Sequence, residues 1–279
     1  MRQLDRSRLR RSAGLALIAV MALAPAASAR DEEEEQAKLA AAEADEGDSK
    51  LSGFLSFDAS TNFMSYGLDV WGTGTFDDLT FNPSFGLEWD FGSGVTGNIG
   101  TWWDVNDNAE SSIGGHGIQE VDVWVGLGYS WEGLSTSVTY QEWMYGGDSE
   151  RIVDFTLGYD VIGSPSLTVH GRVDGNNGQN AGAVFVLGGG HEFDLGGVAS
   201  LSPSVNVAFV TDDFYVDGEG GFGYVSTGLG LGIPLSFIPS RYGDWAFQMG
   251  GTYYYTDPDN INNPHDNIFV GTFGVGVGF

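Results

Sequence analysis

Glu120-Val-Asp-Val-Trp-Val-Gly-Leu-Gly-Tyr-Ser-Trp131 alternates without a break. Val121, Val123, Val125, Leu127, Tyr129 and Trp131 share one parity, and Glu120, Asp122, Trp124, Gly126, Gly128 and Ser130 the other. Successive side chains of an extended chain point to opposite faces of a sheet, so this stretch is a strand with one apolar and one polar face. It is also long. Globular strands commonly run about five or six residues, whereas a tilted strand crossing a membrane needs about nine to eleven.

The same parity recurs on both sides of that run. Phe81, Phe85, Leu87, Trp89 and Phe91 alternate with Asn82, Ser84, Gly86, Glu88 and Asp90, while Val153, Phe155, Leu157, Tyr159 and Val161 alternate with Asp154, Thr156, Gly158 and Asp160. Twelve such segments are predicted, over 51–63, 79–91, 95–105, 118–131, 134–145, 151–161, 166–174, 182–194, 200–212, 222–233, 244–256 and 267–279. Their connections alternate between short turns (92–94, 132–133, 163–166, 196–197) and longer polar loops (72–78, 106–117, 213–221, 257–266), which is how outer-membrane barrels are threaded. The connection 234–242 breaks that pattern, being long and partly apolar. The expected fold is all-β: a transmembrane antiparallel up-and-down β-barrel of about 12 strands over 51–279, with ten or fourteen as alternatives. A two-sheet sandwich is the competing architecture, but it does not require such long, even strands.

Both ends of the chain agree with export to a membrane. Residues 1–29 read as a signal peptide, with a basic start (Arg2, Arg6, Arg8, Arg10, Arg11), an apolar run from Ala13 to Ala24 and a small-residue ending at Ala27-Ser28-Ala29. Residues 30–50 carry nine acids and two lysines over 31–50, and form an acidic segment expected to be disordered in the periplasm. Phe273, Val275, Val277 and Phe279 share one face of the final strand and resemble the C-terminal signal read by the barrel assembly machinery. Aromatic residues gather at the expected strand ends: Trp89, Phe91, Trp131, Tyr159, Phe193, Trp245 and Phe279 by the turns, and Trp103, Tyr140, Phe214 and Tyr255 by the loops. That is the distribution of interfacial girdles in outer-membrane lipid.

The whole sequence holds 11 bases and 38 acids, a net charge of −27, and no cysteine. With residues 1–29 removed the count becomes 6 against 37, or −31, and from Leu51 onward the only bases are Arg151, Arg172 and Arg241. Such a surface repels nucleic acid and attracts cations. The absence of cysteine excludes a disulfide framework.

The segment Asp58-Ala-Ser-Thr-Asn-Phe-Met-Ser-Tyr-Gly67, with Asn82-Pro-Ser-Phe-Gly-Leu-Glu-Trp89 and Gly97-Asn-Ile-Gly-Thr-Trp102, resembles the opening of the TorF-type porins. In that family an aromatic and a Gly close the first strand, a Pro opens the second and Gly-x-Trp marks the third. The match covers roughly the first fifth of the exported chain, and Tyr66 stands where the family usually has Arg. The resemblance implies a porin-like barrel and transfers no catalytic residue.

If the aromatic face meets lipid, the opposite parity lines the lumen. That places Asp58, Glu88, Asp90, Asp104, Glu120, Asp122, Asp154, Asp160, Asp174, Glu192 and Asp212 inside, together with His170, Arg172 and Gln141. Carboxylates in a confined channel favour cations, and crowding among them should weaken that preference in mild acid. The alternative is polar filler in a collapsed lumen. Oxygen-rich loops at Asp104-Val-Asn-Asp-Asn108, Asp212-Asp213, Asp217-Gly-Glu219 and Asp257-Pro-Asp-Asn260 offer ligands to calcium, but none completes the twelve-residue calcium loop. No other cofactor or metal motif is present, and no catalytic set can be assigned, although His170 and Asp174 fall on one face. The expected function is therefore a porin-like channel of the bacterial outer membrane, passing small solutes and preferring cations if open. A non-conducting structural or surface-interaction barrel and an outer-membrane lipid hydrolase are the alternatives.

Overall fold

Period-two alternation becomes strand along nearly its whole predicted extent. The computed structural model describes residues 51–72, 79–109, 113–114, 117–175, 181–212, 214–215 and 218–279. The expected signal peptide and acidic segment, and the loop residues His116, Asp213 and Asp217, lie outside these. The strands are β1 (Leu51–Ser60), β2 (Met64–Ser65), β3 (Leu68–Asp69), β4 (Thr80–Gly92), β5 (Val95–Val105), β6 (Ile118–Trp131), β7 (Leu134–Met144) and β8 (Ser149–Tyr159). They continue with β9 (Ser166–Asp174), β10 (Gly182–Gly190), β11 (Phe193–Asp194), β12 (Ser200–Val210), β13 (Gly221–Pro234), β14 (Asp244–Thr256) and β15 (Asn267–Gly278).

Leaving aside the two-residue strands β2, β3 and β11, twelve long strands pair antiparallel in chain order, and β15 returns to β1. The sheet thus closes and has no free edge, as a structure spanning lipid requires. The closing seam sets Phe57 opposite Val275 and Asp58 opposite Gly274. Val125, Leu127, Phe155, Leu187, Leu229, Phe269 and Phe273 face outward and are exposed all round the barrel. An apolar belt of that extent is matched to hydrocarbon, not water. Phe91, Trp131, Tyr159 and Phe279 are exposed at the turn end, and Trp103, Tyr140 and Tyr255 at the loop end. Phe214 departs from this girdle: it is buried, because its loop folds over the barrel mouth and sets its ring on Arg172.

Two expected strands are shorter than predicted by three residues or more. The segment 182–194 divides into β10 and β11: Gly190 still pairs with Ser204 of β12, the strand lapses at His191 and Glu192, and pairing with β12 resumes at Phe193 opposite Leu201. β1 stops at Ser60, and the chain beyond it turns into the barrel as the β2–β3 hairpin.

The lumen has two unlike halves. Toward the turns its wall is built from small polar positions such as Gly126, Gly128, Ser135, Thr156, Ser204 and Gly228. Toward the loops it is crowded with aromatic rings, carboxylates and the inward hairpin.

Candidate functional site in the lumen

The β2–β3 hairpin turns at Tyr66 (φ 48°) and Gly67 (φ 92°). Positive φ at both central positions is the type I′ geometry, which favours Asn, Asp or Gly. A tyrosine there is strained by about 1 kcal/mol or more. Gly67 is required, since a Cβ would stand 2.5 Å from the Tyr224 ring.

Tyr66 projects onto the wall formed by β7, β8 and β9. Its ring stacks on His170 at 3.6 Å between centroids and lies 6.4 Å from Trp143, and its hydroxyl points at Asp154 Oδ2 over a long 3.5 Å. Burial first, and the Asp154 carboxylate second, push the Tyr66 phenol well above its ordinary range, so it stays a donor. Asp154 also accepts from Gln141 Nε2 at 2.7 Å and lies 2.6 Å from His170 Nδ1, while Trp143 Nε1 donates to Gln141 at 3.1 Å. His170 Nε2 is buried and has no hydrogen-bond partner among the described residues, so no hydroxyl is engaged there.

Beside this cluster Arg172 enters the lumen. Its Nε donates to Glu150 at 2.8 Å, an Nη donates to the Phe214 carbonyl at 2.6 Å, and the guanidinium sits 4.1 Å above the Phe214 ring. The remaining wall is acidic. One rung across β5–β8 reads Trp102, Asp122, Trp143, Glu150, and Asp104 pairs with Glu120 just above it. Exposure falls to 0% for Asp104, 4% for Glu150, 5% for Glu120 and 9% for Asp122. Asp104 accepts from Asn82, Asn106 and the indole of Trp71 (3.2, 2.9 and 3.1 Å), which occupies both its oxygens. Among the described residues no group of three His, Asp or Glu side chains is disposed to hold a metal ion.

Over the mouth, the hairpin is clasped by other loops. Asn263 donates to the Gly67 carbonyl at 2.7 Å and accepts from the Asp69 amide at 2.8 Å, and the Tyr215 hydroxyl donates to the Tyr66 carbonyl. Tyr66 and Leu68 pack on an apolar cluster that includes Val184, Ala208, Phe214, Tyr224 and Ile261.

The structure brings Asp104, Glu120, Asp122, Asp154, His170 and Arg172 together in the loop half. Asp58 and Glu88 lie half-buried on inward positions of β1 and β4. Asp90, Asp160, Asp174, Glu192 and Asp212 are exposed at strand ends or turns. A register shift between Arg151 and Ile152 sends Asp174 to the exposed Arg151, 2.7 Å away, instead of toward His170. Phe273, Val275 and Val277 pair across the seam with Ala59, Phe57 and Leu55, and Phe279 exchanges backbone bonds with Gly53 at 2.8 and 3.0 Å. Sequence reasoning missed Glu150, Trp102, Trp143 and Tyr66 as lumen groups. Glu150 was recoverable by carrying the β8 alternation back past residue 151. Tyr66 was not, because nothing local says that its loop folds inward.

Fold and lumen together define a transmembrane β-barrel of the bacterial outer-membrane type, with twelve strands and an inward-folded first loop. No family model matches the chain, and no curated protein does. Among solved structures it is similar to the translocator domain of the autotransporter NalP from Neisseria meningitidis, with 13% identity over 88% of this chain and 95% of that one and a TM-score of 0.40. The NanC porin gives 11% identity over 81% and 98%, with a TM-score of 0.48. An outer-membrane channel from Pseudomonas putida F1 gives 13% over 84% and 99%, with a TM-score of 0.46.

Proposed function

We propose that the barrel is a porin-like diffusion channel for small solutes and that it prefers cations. The observation that carries this reading is the charge of the narrow half of the lumen. Asp104, Glu120, Asp122, Glu150 and Asp154 surround it, and among the described residues the bases that face them are Arg172, paired with Glu150, and His170, beside Asp154. Inside a low-dielectric wall such an excess of carboxyl groups stabilises a passing cation and repels an anion more strongly than it would in open water. Small residues, among them Gly126, Ser135 and Gly228, line the turn half that leads to that region.

The test is single-channel recording of the full exported chain in a planar bilayer under a potassium chloride gradient. A reversal potential on the potassium side is expected. Anion preference would overturn the charge reading, and the absence of any conductance would overturn the channel itself.

A further inference from the structure

The β2–β3 hairpin occupies the passage. Phe63 rests on Trp102 of β5 with 5.0 Å between ring centroids, and Trp71 bonds Asp104 of the same strand at 3.1 Å. Tyr66 lies on β7–β9, and Leu68 packs on the cluster built by β10, β12 and β13. Contacts to opposite walls mean that the hairpin spans the narrow half of the lumen. We propose that residues 62–72 form a displaceable plug and that Tyr66 is its latch, an inference that rests on the barrel being a channel.

Four observations carry it. First, the plug meets the wall through side chains: the rings of Phe63, Tyr66 and Trp71 act as pegs. Its backbone bonds run within the hairpin, as from the Val70 amide to the Phe63 carbonyl at 2.9 Å, or to side chains: those of Asn263 and Tyr215 in other loops and the hydroxyl of Ser60 at the end of β1. It can therefore leave without breaking a rung of the barrel ladder. Second, two buried polar atoms near it, His170 Nε2 and Asp122 Oδ1, have no hydrogen-bond partner among the described residues. Water entering as the plug withdraws would satisfy both, so the closed state is held less firmly than a fully bonded core.

Third, the turn keeps a tyrosine at φ 48°, where a small polar residue would relieve the backbone. The tyrosine side chain compensates for that strain only while it lies on His170 and Asp154. Fourth, the loops above hold the plug through a few side-chain contacts, Tyr215 and Asn263 by hydrogen bonds and Ile261 by packing, while Phe214 keeps the cap anchored on Arg172, so the plug can part from the cap without dismantling the wall.

The chain has no cysteine, which makes a reversible tether unambiguous. Single-channel records would be compared for the native chain, Tyr66→Ala, and a Phe63→Cys/Trp102→Cys double variant, each checked for folding by heat-modifiable gel migration. The native barrel should be mostly closed with brief openings. Tyr66→Ala should raise the mean current about tenfold by shifting the closed–open balance. The oxidised double variant should stay closed, and a reductant should return its openings. Steady native conductance, unchanged in Tyr66→Ala and unaffected by the redox state of the tether, would overturn the plug while leaving the channel standing. If every folded protein is silent, both fail. Should Tyr66→Ala not fold, the response of the tether to reductant decides alone.

Discussion

Among the described residues Arg172 alone brings a guanidinium into the lumen, and it holds the interior of the loop half together. The side chains of its pair with Glu150 are each 6% exposed, so truncating it leaves a buried carboxylate and the Phe214 carbonyl without their donor. Arg172→Ala should cost about 3–5 kcal/mol of barrel stability, whereas Arg172→Met with Glu150→Gln should recover most of that loss, because the unpaired charge goes with its partner. Urea unfolding in lipid vesicles, followed by tryptophan fluorescence, measures both. Glu120 and Asp122 carry a different expectation. Neighbouring inward positions of β6 place them on the passage, so Glu120→Gln with Asp122→Asn should move the reversal potential toward zero while leaving heat-modifiable migration intact. An unmoved reversal potential in the folded double variant would place selectivity elsewhere on the wall.

At the scale of elements, the seam between β1 and β15 is the sensitive join. Gly274 sits opposite Asp58, and a Cβ there would fall on the Asp58 carboxylate and 2.7 Å from the Phe57 carbonyl oxygen. Gly274→Val should hinder closure and lower the yield of heat-modifiable protein in refolding with lipid, while Gly278→Ala, where no atom lies within 4 Å of the added carbon, should not. Such strands were legible in the sequence because each must satisfy lipid on one face and a polar lumen on the other, a condition that writes itself as strict alternation. Val121 to Trp131 shows it plainly. The hairpin was not legible because its inward placement depends on contacts with β5, β7, β9 and β13, none of which a local pattern records. Of the acidic wall, Asp104, Glu120, Asp122 and Asp154 followed from parity. Asp174 did not reach the lumen, since a register shift is a property of the strand pair and not of either strand.

For the whole molecule, the preponderance of carboxyl groups predicts how selectivity depends on salt. Exposed charge acts over a screening length of about 10 Å at 0.1 M and about 3 Å at 1 M. Cation preference should therefore fall across that range, but not to nothing, because Asp104, Glu120 and Glu150 are nearly withdrawn from solvent. Reversal potentials recorded at a fixed gradient ratio and rising mean concentration test this, and a complete loss of preference at 1 M would assign selectivity to the exposed acids at the strand ends instead.

The contrast between the two halves of the lumen has one more effect. Small residues such as Gly126, Ser135 and Gly228 line the turn end, while rings and a group of buried carboxyl groups crowd the other. A pore opened through the barrel would therefore carry its densest inward charge near one end. Cations driven toward that end from the other accumulate ahead of it, and those driven the opposite way are depleted, so the conductance depends on the sign of the voltage. Barrels inserted in one direction should accordingly rectify in dilute potassium chloride, and their current–voltage curve should straighten as salt is raised.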